Sequence, residues 1–155
     1  NSKRKLVIVG DVPYQDEYSS KLKALSQIDD RLIFTGLVRN RDAVAELFHN
    51  AYVYMHGHEF GGTNPTMLEA LSFGSAIIAL NTPFNREVLQ NERYGQYFEK
   101  NETSVQQLVD KIDAEFEQVQ KMKSTSREGI TEKYNWDSIT DHYIRVFEDL
   151  TKKAG

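Results

Sequence analysis

The chain has 155 residues, 39% of them hydrophobic and 27% charged, with a formal net charge of −4 and no cysteine. That length suits one domain with a sizeable core, and the acidic balance argues against a nucleic-acid partner. Lack of cysteine excludes disulfides and thiolate metal sites and fits a cytoplasmic protein; no apolar run approaches the roughly 20 residues of a membrane span.

Lys5–Gly10 (LVIV at its centre) reads as a first strand, entered almost directly from Asn1, as if the chain were cut inside a larger fold. A helical pattern covers Asp16–Ser26, and Arg31–Gly36 reads as a second strand. Asn40 then caps a helix carrying Val44, Leu47 and Phe48 on one face. Ala51–His56 is a third strand. Asn64-Pro65 opens the next helix, with Asn as cap and Pro at the first helical position. Ser75–Leu80 follows as a fourth strand. Thr82-Pro83 repeats the capping device and sets Glu87 in a first turn, where the helix dipole favours an acid. Gln96–Glu99 is a fifth, weaker strand. The nearly continuous apolar runs predict strands covered on both faces, as in a parallel sheet.

After Glu99 the pattern is helical only. Thr103-x-x-Gln106 reads as a capping box for a helix to about Lys123, whose charges from Glu115 form a solvated face. A polar break at Ser124-Thr125-Ser126 precedes a short helix. The last helix places Trp136, Ile139, Tyr143, Val146 and Leu150 at helical spacing, an aromatic stripe that with Phe147 reads as core. The prediction is an α/β fold, a Rossmann-like doubly wound parallel sheet with a C-terminal helical tail. It forms one domain over 1–155, with the α/β core in 1–99 and the tail in 100–155.

In open α/β sheets ligands bind at the carboxyl ends of the strands. Three strand ends stand out here: Gly10-Asp11-Val12-Pro13, Gly36-Leu37-Val38-Arg39-Asn40, and the stretch from His56 to Ala70. In the third, Gly61-Gly62 allows close backbone approach, and Thr63-Asn64 lead into a helix whose positive end suits a diphosphate. Glu69 lies just over a turn further on, and helical side chains lean toward the N-terminus. Its carboxylate suits a vicinal diol such as that of a ribose. The same residues also serve as an ordinary turn and capped helix, and that reading stands beside the first. Arg39 is either a phosphate contact or a solvated arginine. His56 and His58 lack a third metal ligand at suitable spacing. Glu87 is either a capping acid or a ligand contact.

The segment His56-Gly57-His58-Glu59, Gly61-Gly62-Thr63-Asn64-Pro65, Leu68-Glu69-Ala70-Leu71, Gly74-Ser75-Ala76 resembles the donor-site signature of retaining GT-B glycosyltransferases. It is most similar to bacterial rhamnosyltransferase-like members with a Gly-Gly-Thr-Asn-Pro loop. The likeness runs from about Lys5 to Phe98, and further landmarks are Leu6–Gly10 with Asp11, Phe34-x-Gly36, Asn81…Glu87 and Tyr134-Asn135-Trp136. It implies one half of a GT-B fold without its first strand and helix, and sugar transfer from a nucleoside diphosphate sugar with retention, to a glycan acceptor in polysaccharide biosynthesis. It implies that Glu69 holds the ribose, that the amides of Gly62, Thr63 and Asn64 hold the diphosphate, and that Gly36 and Val38 lie against the base. His58 and Gly61 complete the donor pocket. No metal or other cofactor is expected. The partner is an N-terminal acceptor-binding domain of the same protein, against which the resemblance lets Trp136, Tyr143 and Phe147 of the last helix pack as an alternative to core. Through it the enzyme has the option of peripheral membrane attachment, and the fragment alone is expected to be inactive.

Two departures from the pattern matter. Where the family carries a second Glu eight positions before Glu69, this chain has Gly61, and Glu59 stands two positions further upstream. Either Glu59, or His58, takes over the contact to the sugar and Glu59 is the catalytic acidic group, or that role is absent. The basic pair that holds the diphosphate in the family precedes the first strand seen here, and Lys3, Arg4 and Lys5 do not match it. Two other functions compete: a non-catalytic nucleotide-binding α/β module, and half of a nucleotide-sugar epimerase. The strand ends lack the acidic cluster of a receiver-like module, and product analysis separates an epimerase from a transferase.

Overall fold

The computed structural model describes residues 2–11 and 16–153; Val12 and Pro13 of the first strand-end motif lie outside them. The chain is α/β with parallel strands, and it divides into two compact units, Asn1–Leu47 and Phe48–Gly155.

The first unit holds β1 (Leu6–Val9), α1 (Glu17–Ser26), β2 (Leu32–Gly36) and most of α2 (Arg41–Asn50). β1 and β2 pair in parallel with Leu6 opposite Leu32 and Ile8 opposite Phe34. Asp16 caps α1 by accepting from the Ser19 N–H at 2.6 Å, while the Ser19 hydroxyl accepts from the Asp16 N–H at 3.1 Å. Two reciprocal bonds fix the helix start. Asn40 does cap α2, its side chain accepting from the Ala43 N–H at 3.0 Å. The expectation of burial on both faces fails for β1, where Leu6, Val7 and Val9 are 41–47% exposed. Within this unit a two-stranded ladder has too little cover for both of its faces.

In the second unit β3 (Tyr54–His56), β4 (Ile77–Leu80) and β5 (Gly95–Phe98) form a parallel sheet with β4 in the middle. All four β4 residues are buried, as its apolar run predicts. Alternation along β4 splits the interior in two. Ile77 and Ala79 join Met67, Ala70 and Leu71 of α3 (Pro65–Ser72), Val88 of α4 (Pro83–Val88), and Tyr94. Ala76, Ile78 and Leu80 join Leu108 and Ile112 of α5 (Glu102–Ala114) and Val119 and Met122 of α6 (Phe116–Thr125). Two short connections, α7 (Glu128–Lys133) and a turn, lead to α8 (Trp136–Lys153).

Gly95, at the start of β5, has no room for a side chain. A methyl there would stand 2.7 Å from Leu89 Cδ1 and 2.8 Å from the Ile77 carbonyl oxygen. The carbonyl belongs to the central strand and cannot step aside. Gly95→Ala is therefore expected to lower the unfolding free energy by about 1–3 kcal/mol, read as a lower urea midpoint; an unchanged midpoint would show that the strand yields.

The tail departs from expectation at three places. Asn101, not Thr103, caps α5, accepting from the Ser104 N–H at 2.8 Å. Asparagine outranks threonine as a cap, so the helix begins earlier. The single helix to Lys123 is two, broken at Glu115, whose ψ of 63° leaves the helical region. The aromatic stripe of α8 is not core, since Trp136 is 82% exposed and Tyr143 and Phe147 each 63%. Helical spacing identifies an apolar face but not what covers it. Among the described residues no helix is long and apolar enough to cross a membrane.

Candidate functional site

The site is built where β3, β4 and β5 end and α3 begins. The chain leaves β3 at His56, runs through Gly57–Thr63 as a loop, and enters α3 at Pro65. Asn64 caps that helix as the sequence predicts, its side chain accepting from the Thr66 N–H at 2.9 Å. The Asn64 carbonyl accepts from Met67 and Leu68, and Pro65 has no N–H. The first donors of α3 are thus already engaged. What remains is the helix dipole and the loop N–H groups of Gly61, Gly62, Thr63 and Asn64, which meet no acceptor among the described residues. The donors named from sequence are the ones left available, although the helix itself supplies fewer than expected.

Gly61 has φ of +93°, a left-handed backbone that glycine adopts without strain. Gly62 is open, with nothing within 4 Å of where a Cβ would be. At Gly61 and Gly62 the loop therefore presents bare backbone. Glu69 is half-buried in the second turn of α3, and its carboxylate has no hydrogen bond or ion pair among the described residues. A carboxylate with no protein partner is free to accept hydrogen bonds from ligand hydroxyls.

His56, at the tip of β3, is 4% exposed. Its Nδ1 lies 3.1 Å from the Tyr54 hydroxyl, and its Nε2 is buried without a partner. Burial, assisted by the nearby His58, pushes its pKa down to about 4, so the ring is neutral at physiological pH. Burial also pushes the Tyr54 phenol up to about 12. His58 is exposed, its ring centroid 6.0 Å from that of His56.

Glu59 is partly buried and ion-paired with Lys100, just past the end of β5. The neighbouring backbone is also tied down. Asn85, 3% exposed in α4, donates through Nδ2 to the Leu80 carbonyl at 2.8 Å and to the His58 carbonyl at 3.2 Å. Both of its amide hydrogens are used, which accounts for a buried asparagine here. Arg86 donates to Asn81 at 2.6 Å, and Asn81 donates to Glu99. Lys100 and Asn85 escape sequence reasoning, although the strand-end rule that singles out three loops applies equally to the end of β5.

Gly36 and Val38 belong to the Asn1–Leu47 unit, at the carboxyl end of β2. Gly36 has φ of +66°, and its carbonyl accepts from the Gly10 N–H at 2.9 Å. Glu87 is not in a first turn: α4 begins at Pro83, and Glu87 sits near its end, paired with Lys133 at 2.7 Å. The dipole argument for it fails. Among the described residues no three His, Cys, Asp or Glu side chains gather where they could hold a metal ion.

The sequence model of the family described as glycosyl transferases group 1 matches residues 1–132. The chain belongs to this family. Over 97 residues the group 1 domain is 28% identical to the alpha-monoglucosyldiacylglycerol synthase of Streptococcus pneumoniae, a match covering 62% of the chain and 21% of the synthase. Its fold is similar to that of a sucrose-phosphate synthase from Thermosynechococcus elongatus, with a TM-score of 0.75 and 19% identity. That likeness covers 96% of this chain and 39% of the synthase. It is also similar to the Anabaena protein HepE, solved in complex with UDP, with a TM-score of 0.80 at 12% identity over 94% of this chain and 41% of HepE. The group 1 domain thus spans less than half the length of the proteins it matches.

Proposed function

We propose that this group 1 domain is the donor-binding half of a retaining glycosyltransferase that moves a hexose from a nucleoside diphosphate sugar to a glycan. We assign it to the rhamnosyltransferase-like bacterial subgroup, working in the cytoplasm beside an N-terminal acceptor-binding domain. The observation that carries this reading is the pairing of bare loop N–H groups from Gly61 to Asn64 with the unpartnered Glu69 carboxylate behind them. Amides and a helix dipole suit the diphosphate, and a carboxylate suits the ribose diol; together they match the polarity of a nucleotide along its length. The UDP bound to HepE, a protein of similar fold, supports a nucleoside diphosphate as the ligand.

In this reading Gly36 and Val38 lie against the base, and Gly61, Gly62, Thr63 and Asn64 receive the diphosphate. His58 lines the sugar pocket, and Glu59 meets the transferred sugar. The leaving diphosphate gains charge as the glycosidic bond breaks. Fixed amide dipoles stabilise that charge without reorganising.

Titration calorimetry of this chain with UDP, GDP, dTDP and ADP tests the reading directly. Saturable binding of at least one is expected, without sugar transfer, because transfer needs both reactants held in one geometry. No heat with any of the four, or transfer by this chain alone, would overturn it. Glu59→Ala in the full-length enzyme is expected to leave affinity for the bare nucleoside diphosphate unchanged while lowering sugar transfer. Wild-type turnover in that variant would remove Glu59 from the mechanism.

A further inference from the structure

Glu59 is held at both ends. Its backbone follows His58, whose carbonyl is pinned by the buried Asn85 from α4. Its carboxylate is held by Lys100, which reaches across from the end of β5 in a connection 41 residues distant in sequence. Lys100 has 72% of its side chain exposed, so the pair lies near solvent. Exposed pairs of this kind contribute little to stability, because screening and lost side-chain freedom offset the attraction. Folding alone is therefore a weak reason for the contact. Its geometric consequence is larger: an acid on a glycine-rich loop, which would otherwise sample many rotamers, is kept in one place.

We propose that Lys100 is a positioning residue for Glu59, ordering its carboxylate in advance of the sugar it meets. The proposal rests on the assignment of Glu59 to the transferred sugar made above. Preorganisation removes an ordering cost that would otherwise fall on the bound or transition state. Because Lys100 acts through Glu59, its removal affects the step that involves the sugar and spares the nucleotide. An arginine keeps a positive charge within reach of the carboxylate and therefore preserves most of the effect. A lysine that bound the diphosphate itself would behave differently, since its loss would weaken the bare nucleotide as well.

The test uses the full-length enzyme with Lys100→Met, Lys100→Arg, Glu59→Ala and the double variant Lys100→Met/Glu59→Ala. Each is measured for kcat, KM for the donor, affinity for bare nucleoside diphosphate, and urea midpoint. Lys100→Met is expected to lower kcat about two- to fivefold, the range that an exposed pair can supply, with nucleotide affinity and urea midpoint unchanged. Lys100→Arg is expected to restore most of the loss, and the double variant to be no slower than Glu59→Ala alone. If Glu59→Ala impairs transfer but Lys100→Met does not, the positioning role falls and the Glu59 assignment survives. If Glu59→Ala turns over like wild type, both fall together. Additive losses in the double variant, or weakened binding of the bare nucleotide by Lys100→Met, would also overturn the proposal, assigning Lys100 an independent contact.

Discussion

Replacing Glu69 by glutamine in the full-length enzyme is expected to weaken binding of the nucleoside diphosphate sugar by about tenfold or more. Hydrogen bonds to a charged group contribute about 1.5–3 kcal/mol each, and every 1.4 kcal/mol is about tenfold in affinity. Glutamine keeps the length and one acceptor oxygen but loses the charge, so the fold of α3 is undisturbed. Glu69 is half-buried and unpartnered, so the variant leaves no orphaned counter-ion behind. The control lies in the ligand. A donor whose ribose lacks its hydroxyl groups has nothing to give the carboxylate, so wild type and variant are expected to bind it alike. Calorimetry with both donors reads the contrast. Equal losses for the two would mean that Glu69 acts elsewhere than on the diol.

The local structure of the candidate loop is legible because it is contiguous. His58, Glu59, Gly61–Asn64 and Glu69 fall within one strand–loop–helix passage, and the Asn64-Pro65 cap announces where the helix starts. β4 was equally plain, since its unbroken apolar run is buried on both faces. What holds the loop in place was not legible. Asn85 meets the His58 carbonyl 27 residues away and Lys100 meets Glu59 41 residues away. No periodicity records such contacts; they exist only once parallel strands bring their carboxyl ends together. The reading of the α8 aromatic face as core failed for another reason. The sequence states that the face is apolar, whereas its cover is a property of the whole assembly. Glu87 was misplaced because α4, which starts at Pro83 as its cap predicts, is only 6 residues long, so a residue read as part of its first turn lies close to its end.

His56 gives the site a measurable dependence on acid. In the unfolded chain a histidine titrates near 6.5, whereas in the folded protein burial, then the charge of His58, pushes it down to about 4. Between these values the unfolded state holds the extra proton, so stability rises with pH through this window and falls as pH drops through it. The full loss from pH 7 to below pH 4 amounts to about 3 kcal/mol for this one group. Its buried Nε2 has no partner, and a proton on both ring nitrogens would place an uncompensated charge beside the Tyr54 hydroxyl. Urea unfolding of this chain across pH 4–7 is expected to show that decline, superimposed on whatever the carboxylates contribute. His56→Gln removes the titrating ring, so its curve is expected to be flatter than wild type by that same amount. Proton NMR of the His56 ring provides the direct check, with the imidazole still neutral at pH 5. Parallel stability curves for the two proteins, or a ring that titrates near 6.5, would show that the end of β3 is open to water. In that case His56 would share the solvent of His58, and the loop that leads to Glu59 would lack its dry base.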